Sequence, residues 1–150
     1  MTQDKSAKKD DFDLQEFLPY LLNRAAEESS LEFQQVYKDR YGMLRTEWRV
    51  LFHLGNYGEM TAKEIGERAK IHKTKVSRAV SKLEQRRYLA RNRDTSDRRV
   101  EQLTLTSAGQ TVYRDLRLVA EAYDSKLAGL FSRNEAELLR KMLRRLAHMN

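Results

Sequence analysis

Cysteine is absent from all 150 residues, proline occurs once, and tryptophan occurs once. Without thiols there is no disulfide, no thiolate zinc site and no peroxide-sensing cysteine, so any sensing has to work by non-covalent binding. No apolar run approaches the roughly 18 residues of a membrane-spanning helix. The opening MTQDKSAKKDD is hydrophilic and carries no signal-peptide core, which makes the cytoplasm the expected location. The signatures of catalysis are missing too. His53, His72 and His148 lack the H-x-x-x-H spacing of a zinc hydrolase, there is no glycine-rich phosphate loop, and no serine or carboxylate pair is placed for a recognisable reaction. Neither enzymatic activity nor a cofactor or metal is expected. With 34% charged and 40% hydrophobic residues, the chain is too polar to be membrane-embedded and too apolar in patches to be disordered.

What is present is a concentrated positive charge. From Lys63 to Arg99 there are thirteen Lys and Arg against five Asp and Glu, a local excess of eight, whereas the whole chain carries +7. The rest of the protein is close to neutral, so this is one basic surface, and such a surface calls for an anionic partner.

Thr61-Ala62-Lys63-Glu64 reads as a capping box opening a helix over 62–69, with the Thr hydroxyl and Glu carboxylate reciprocally satisfying backbone donors. A short turn at 70–72 leads into a second helix from Lys73 to Arg87. Ile65, Ala69, Ile71, Val76, Val80 and Leu83 can close a shared core, which turns Lys73, Thr74, Lys75, Ser77, Arg78, Ser81 and Lys82 outward. The stretches 88–93 and 100–106 read as two strands joined by the turn-forming Asp94-Thr95-Ser96-Asp97. Arg91, Arg93, Arg98 and Arg99 then sit near the tip of the hairpin.

The flanks are helical. A helical pattern starts at Phe12, with Pro19 near a helix start and the preceding residues forming either a separate turn or the first helical turn. It ends near Gly42, a fitting helix C-terminus. Thr46 is the expected cap of a helix from Glu47 to about Gly55, followed by a loop at 55–58. After the hairpin, either Ser107 or Thr106 opens a long helix. Ser132-Arg133-Asn134-Glu135, a second capping box, opens a last one with Leu138, Leu139, Met142, Leu143, Leu146 and Ala147 in one stripe. The predicted fold is mainly α with a small β-hairpin wing. It divides into a flexible tail (1–11), an N-terminal helix (12–45), a helix–turn–helix lobe with its wing (46–106) and C-terminal helices (107–150). One copy of the central module cannot cover the apolar stripes of the terminal helices, so a homodimer is expected. Two-fold pairing would set two helix–turn–helix units about 34 Å apart, matching successive major grooves.

The run TEWRVLFHLG, followed by TAKEIGERAKIHKTKVSRAVSKLEQRRYLARNRDTSDRRVEQLTLTSAG, resembles the MarR family of winged helix–turn–helix transcription regulators. The likeness extends from Phe12 to the end of the chain. Its most specific pieces are Lys75-Val76-Ser77-Arg78, Leu83-Glu84, and Asp97-Arg98-Arg99 followed by Leu103-Thr104-Leu105-Thr106. One departure is Arg87, where the family has a glycine before the first wing strand. The resemblance implies a homodimeric regulator, a repressor more often than an activator, on a palindromic operator. Lys73, Thr74, Lys75, Ser77 and Arg78 would face base edges or backbone in the major groove, with Ser81 and Lys82 on phosphates. Arg98 and Arg99 would enter a flanking minor groove, Arg99 fitting the family's Asp-x-Arg pattern better, with Asp97 orienting it through an ion pair. In isolation the same helix face would read as merely solvated. The basic wing beside it decides for double-stranded DNA.

The resemblance further implies a small aromatic or phenolic acid as effector, in a cleft to which Arg24, Ser29, Trp48, Arg49 and His53 would contribute. Each has a plain alternative: Trp48 as core or interface, Arg49 as an ion-pair partner, His53 as a satisfied polar contact. Two rival functions compete with the specific regulator. A sequence-nonspecific architectural protein would bind DNA through counterion release alone, and a winged helix repurposed for protein contact would not bind DNA at all.

Overall fold

The computed structural model describes residues 8–93, 96–97 and 100–149. Two compact units divide the chain, Met1–Glu32 and Phe33–Asn150. In the first, Asp13 caps a 3-10 turn at Leu14–Glu16, which is separate from helix α1, Leu18–Tyr41. Pro19 sits in the first turn of α1, where its missing N–H costs nothing. Only the last part of α1 belongs to the second unit, where it buries Phe33 and Tyr37.

The second unit continues with α2 (Arg45–Tyr57), β1 (Met60–Thr61), α3 (Ala62–Ala69), α4 (Lys73–Gln85), β2 (Leu89–Arg93), β3 (Glu101–Leu105), α5 (Ser107–Ala128) and α6 (Arg133–Leu146). The mainly α architecture and the hairpin wing are as the sequence predicts. The strands form one antiparallel sheet ordered β1-β3-β2, with Met60 opposite Leu103 and Leu89 opposite Leu105. Its core contains Val50, Leu51, Leu54, Ile65, Val76, Val80, Leu83, Leu103 and Leu116, each at most 2% exposed. Beside it lies an aromatic cluster in which Trp48 packs 5.4 Å from Phe33 and 5.2 Å from Phe52, and Phe52 lies 5.1 Å from Tyr113.

Several local expectations change. Thr46 is not a cap: α2 opens two residues earlier, at Arg45, because the Glu47 carboxylate reaches back to the Leu44 N–H at 2.5 Å. The helix runs through Gly55 to Tyr57 and stops at Gly58, whose φ of +82° suits only glycine. Within that helix Gly55 leaves room for α5, which passes so close that a Cβ there would lie 2.4 Å from the Tyr113 ring. At α3 only half the capping box forms. The Thr61 hydroxyl accepts from the Glu64 N–H at 3.1 Å, but the Glu64 carboxylate meets that hydroxyl and not the Thr61 backbone, which is engaged in β1 opposite Gln102. Thr106, rather than Ser107, caps α5, and Ser132 with Glu135 completes the box at α6.

Candidate nucleic-acid interface

Helices α3 and α4 meet through a turn at Lys70, whose left-handed backbone (φ +56°) reverses the chain. The six residues expected to close their shared core are all buried. Helix α4 starts at Lys73 because the His72 Nδ1 accepts from the Thr74 N–H at 3.2 Å, a cap by a ring nitrogen that the usual capping residues do not signal. Burial of Val76, Ala79, Val80 and Leu83 fixes the rotation of the helix about its axis. Lys73, Thr74, Lys75, Ser77, Arg78 and Lys82 are consequently exposed, and Ser81 is half-buried. Among the described residues, Lys73, Lys75, Arg78 and Lys82 have no ion-pair partner.

Helix α4 ends in a left-handed cap at Arg87 (φ +64°), with the Tyr88 N–H bonded to the Leu83 carbonyl and the Arg87 N–H to that of Glu84. That is the Schellman arrangement, in which glycine normally takes the left-handed position. The Arg87 departure therefore leaves the turn geometry intact. The chain then enters β2, where Arg91 bonds Glu84 on α4 and Glu101 on β3, each at 3.1 Å, so its charge is already matched. Near the hairpin tip, the Asp97 carbonyl accepts from the Val100 N–H at 3.1 Å. Arg98 and Arg99 lie outside the described residues.

The residues singled out for an effector fall in different places. Arg24 and Ser29 belong to the first unit, where Arg24 donates to the Tyr20 hydroxyl at 3.3 Å and Ser29 to the Ala26 carbonyl. Trp48 belongs to the aromatic cluster. Arg49 and His53, one turn apart on α2, line an open cleft of about 1000 Å³ together with residues of α3, α5 and the segment after α6. Desolvation lowers the Arg49 pKa, and its guanidinium donates to the Ala69 carbonyl. The His53 Nδ1 lies 2.6 Å from the Arg49 carbonyl, which leaves Nε2 for another partner. Arg68, stacked 4.0 Å over the Tyr57 ring, and Arg117 bring further positive charge to this cleft, while Glu67, Glu121 and Asp124 oppose it. Of the five residues that the resemblance implied, on α1 and α2, only Arg49 and His53 line this cleft, and its other walls come from distant stretches.

Glu47 and Arg86, which carry no motif, form the other notable pair. Glu47 is 2% exposed, one of its oxygens has no hydrogen bond, and that oxygen lies 3.8 Å from the Arg86 guanidinium.

Residues 41–100 match the model of the MarR family. A curated relative, the HTH-type transcriptional regulator MhqR of Bacillus subtilis, is 28% identical over 107 residues, which span 71% of this chain and 74% of the relative. Among solved structures, a MarR/EmrR family regulator from Acinetobacter sp. ADP1 is 26% identical with a TM-score of 0.82, covering 91% of this chain and 96% of that one. BpsR of Bordetella bronchiseptica, whose DNA binding is regulated by 6-hydroxynicotinic acid, is 23% identical with a TM-score of 0.83 over 94% of this chain and all of that one. Together with the helix pair and the wing, the matched segment and these likenesses make the chain similar to the MarR family of winged helix–turn–helix transcription regulators.

Proposed function

We propose that the protein is a homodimeric repressor that inserts α4 into the major groove of a palindromic operator and releases it when a small aromatic or phenolic acid binds. The observation that carries this reading is the row of exposed cations on α4, from Lys73 to Lys82, without ion-pair partners among the described residues and beside the β2–β3 hairpin, whose connecting sequence is rich in arginine. Lys73, Thr74, Lys75, Ser77 and Arg78 are the groove-facing set, with Ser81 and Lys82 toward phosphates. Arg98 and Arg99, oriented by Asp97, serve the minor groove. Dimerisation is supported by the apolar stripe of α6, where Leu138, Met142, Leu143 and Leu146 are exposed in the single chain. Two apolar sets, at 12–21 on the first unit and on α6, are expected to be covered by the second copy. The effector reading is supported by the Arg49 and His53 cleft, whose cations and aromatic wall suit an aromatic carboxylate. An effector acts by binding the DNA-competent and DNA-incompetent states with different affinities.

Selection of bound duplexes from a random pool tests the reading. The expected result is a palindrome with half-sites one helical turn apart, and Arg78→Ala should weaken binding to it by about 1–3 kcal/mol. Recovery of no common motif would favour the nonspecific architectural alternative. Aromatic acids that raise the melting temperature yet leave operator affinity unchanged would remove the effector from the mechanism.

A further inference from the structure

We propose that Arg86 is a positioning residue for DNA binding, which fixes the end of α4 against the α1–α2 junction and so holds the groove-facing helix at its working angle without touching DNA. This rests on the reading of α4 as the groove-inserted element. Arg86 is the C-cap of α4, and its guanidinium leaves that helix altogether. Nη1 donates to the Tyr41 carbonyl at 2.7 Å and Nη2 to the Gly42 carbonyl at 2.8 Å. Those carbonyls close α1, where a helix has no donors of its own to offer. Across the junction, Glu47 satisfies the opposite deficiency by taking the Leu44 N–H that opens α2.

The two side chains thus cap successive helices and face each other, cation at a helix C-terminus and anion at a helix N-terminus, each on the side the helix dipole favours. Glu47 is buried, and its second oxygen has Arg86 as a neighbour but no hydrogen bond. Losing the guanidinium would leave a buried carboxylate without its counter-charge and two carbonyls without donors. Separation of the junction from the end of α4 would relieve both by admitting water. Arg86 is also well placed to set where helix gives way to wing, since Arg87 makes the left-handed turn into β2 immediately after it.

Arg86→Lys separates this role from a phosphate contact, because lysine keeps the charge but cannot fork to two carbonyls. Affinity is measured for a labelled duplex recovered from the random-pool selection, across a salt series, at a temperature where each variant is folded. Arg86→Lys and Arg86→Met are both expected to bind about tenfold more weakly, equivalent to ~1.4 kcal/mol, with the slope of log affinity against log salt unchanged. Wild-type affinity in Arg86→Lys overturns the proposal. So does a slope shallower by about 0.9 in Arg86→Met, the mark of one lost phosphate contact. Should Arg86→Met fail to fold, amide hydrogen exchange of free Arg86→Lys decides. Faster exchange at 83–88 than in the wild type supports positioning, and unchanged exchange overturns it. Arg78→Ala serves as the reference: if it binds like the wild type, the α4 reading fails on its own, and the exchange measurement still judges Arg86.

Discussion

Arg91 on β2 donates from Nε to the Glu84 carboxylate on α4 at 3.1 Å, locking the wing to the helix beside it. A second bond to Glu101 leaves Arg91 with two carboxylates for one charge. Arg91→Ala should therefore leave the salt dependence of DNA binding nearly unchanged, in contrast to Arg78→Ala. The pair is partly exposed, so the change in stability should stay within about 1 kcal/mol. A large fall in the salt slope for Arg91→Ala would mean that the arginine leaves its carboxylates for phosphate.

Arg87 bears a side chain in a backbone conformation that favours glycine. Arg87→Gly should stabilise the protein by about 1 kcal/mol, read from the midpoint of urea unfolding at unchanged slope. Equal or lower stability would show that the side chain makes a compensating contact.

Gly109, in the first turn of α5, lies against the chain entering β2. A Cβ there would sit 1.9 Å from the Tyr88 carbonyl oxygen, and backbone cannot yield as a side chain can. Gly109→Ala should cost about 3 kcal/mol and disturb the Thr106 N–H to Tyr88 carbonyl bond that ties α5 to the wing. A normal melting temperature would refute that close approach.

Tyr41 and Asp115 give stability two pH arms. Burial, followed by the hydrogen bond to Asp115, pushes the Tyr41 phenol up to about 12 from 10.0, while the same bond holds the Asp115 carboxyl below 3.8. A phenol with a raised folded-state pKa contributes stability that is whole below pH 10 and lost as pH climbs toward 12. A depressed carboxyl contributes stability present above pH 3.8 and lost as pH falls further. Tyr41→Phe should remove the alkaline arm and weaken the acid one, measured by denaturant unfolding across pH. Retention of the alkaline arm would assign it to another group.

The α6 stripe yields a test of assembly. Leu143→Glu places a charge in the centre of the exposed apolar row, and sedimentation should show a dimer for the wild type and a monomer for the variant, with half-site cooperativity lost. A variant that stays dimeric would move the interface elsewhere.

The helix–turn–helix was legible because two short apolar repeats at helical spacing leave little choice of which face is buried, and the exposed set on α4 follows from it. The Ser132 box was equally readable, being local. Thr46 misled because its cap preference competes with Glu47, which reaches back from the third helical position and is itself buried, as no carboxylate is expected to be. Strand β1 has two residues, too few for any alternation to show. The His72 cap, the Arg86 fork and most walls of the cleft depend on residues brought together from separate stretches, or on an atom type that propensity does not register.

Trp48 is the only tryptophan, and it is wedged against Phe33 and Tyr37 of α1 and Phe52 of α2. Its near-ultraviolet emission is thus a built-in gauge of how tightly the end of α1 seats on α2, readable in unlabelled protein with no overlapping indole signal. A spectral change on adding duplex, or on adding an aromatic acid that does not itself absorb at the exciting wavelength, would report movement at that seam in real time.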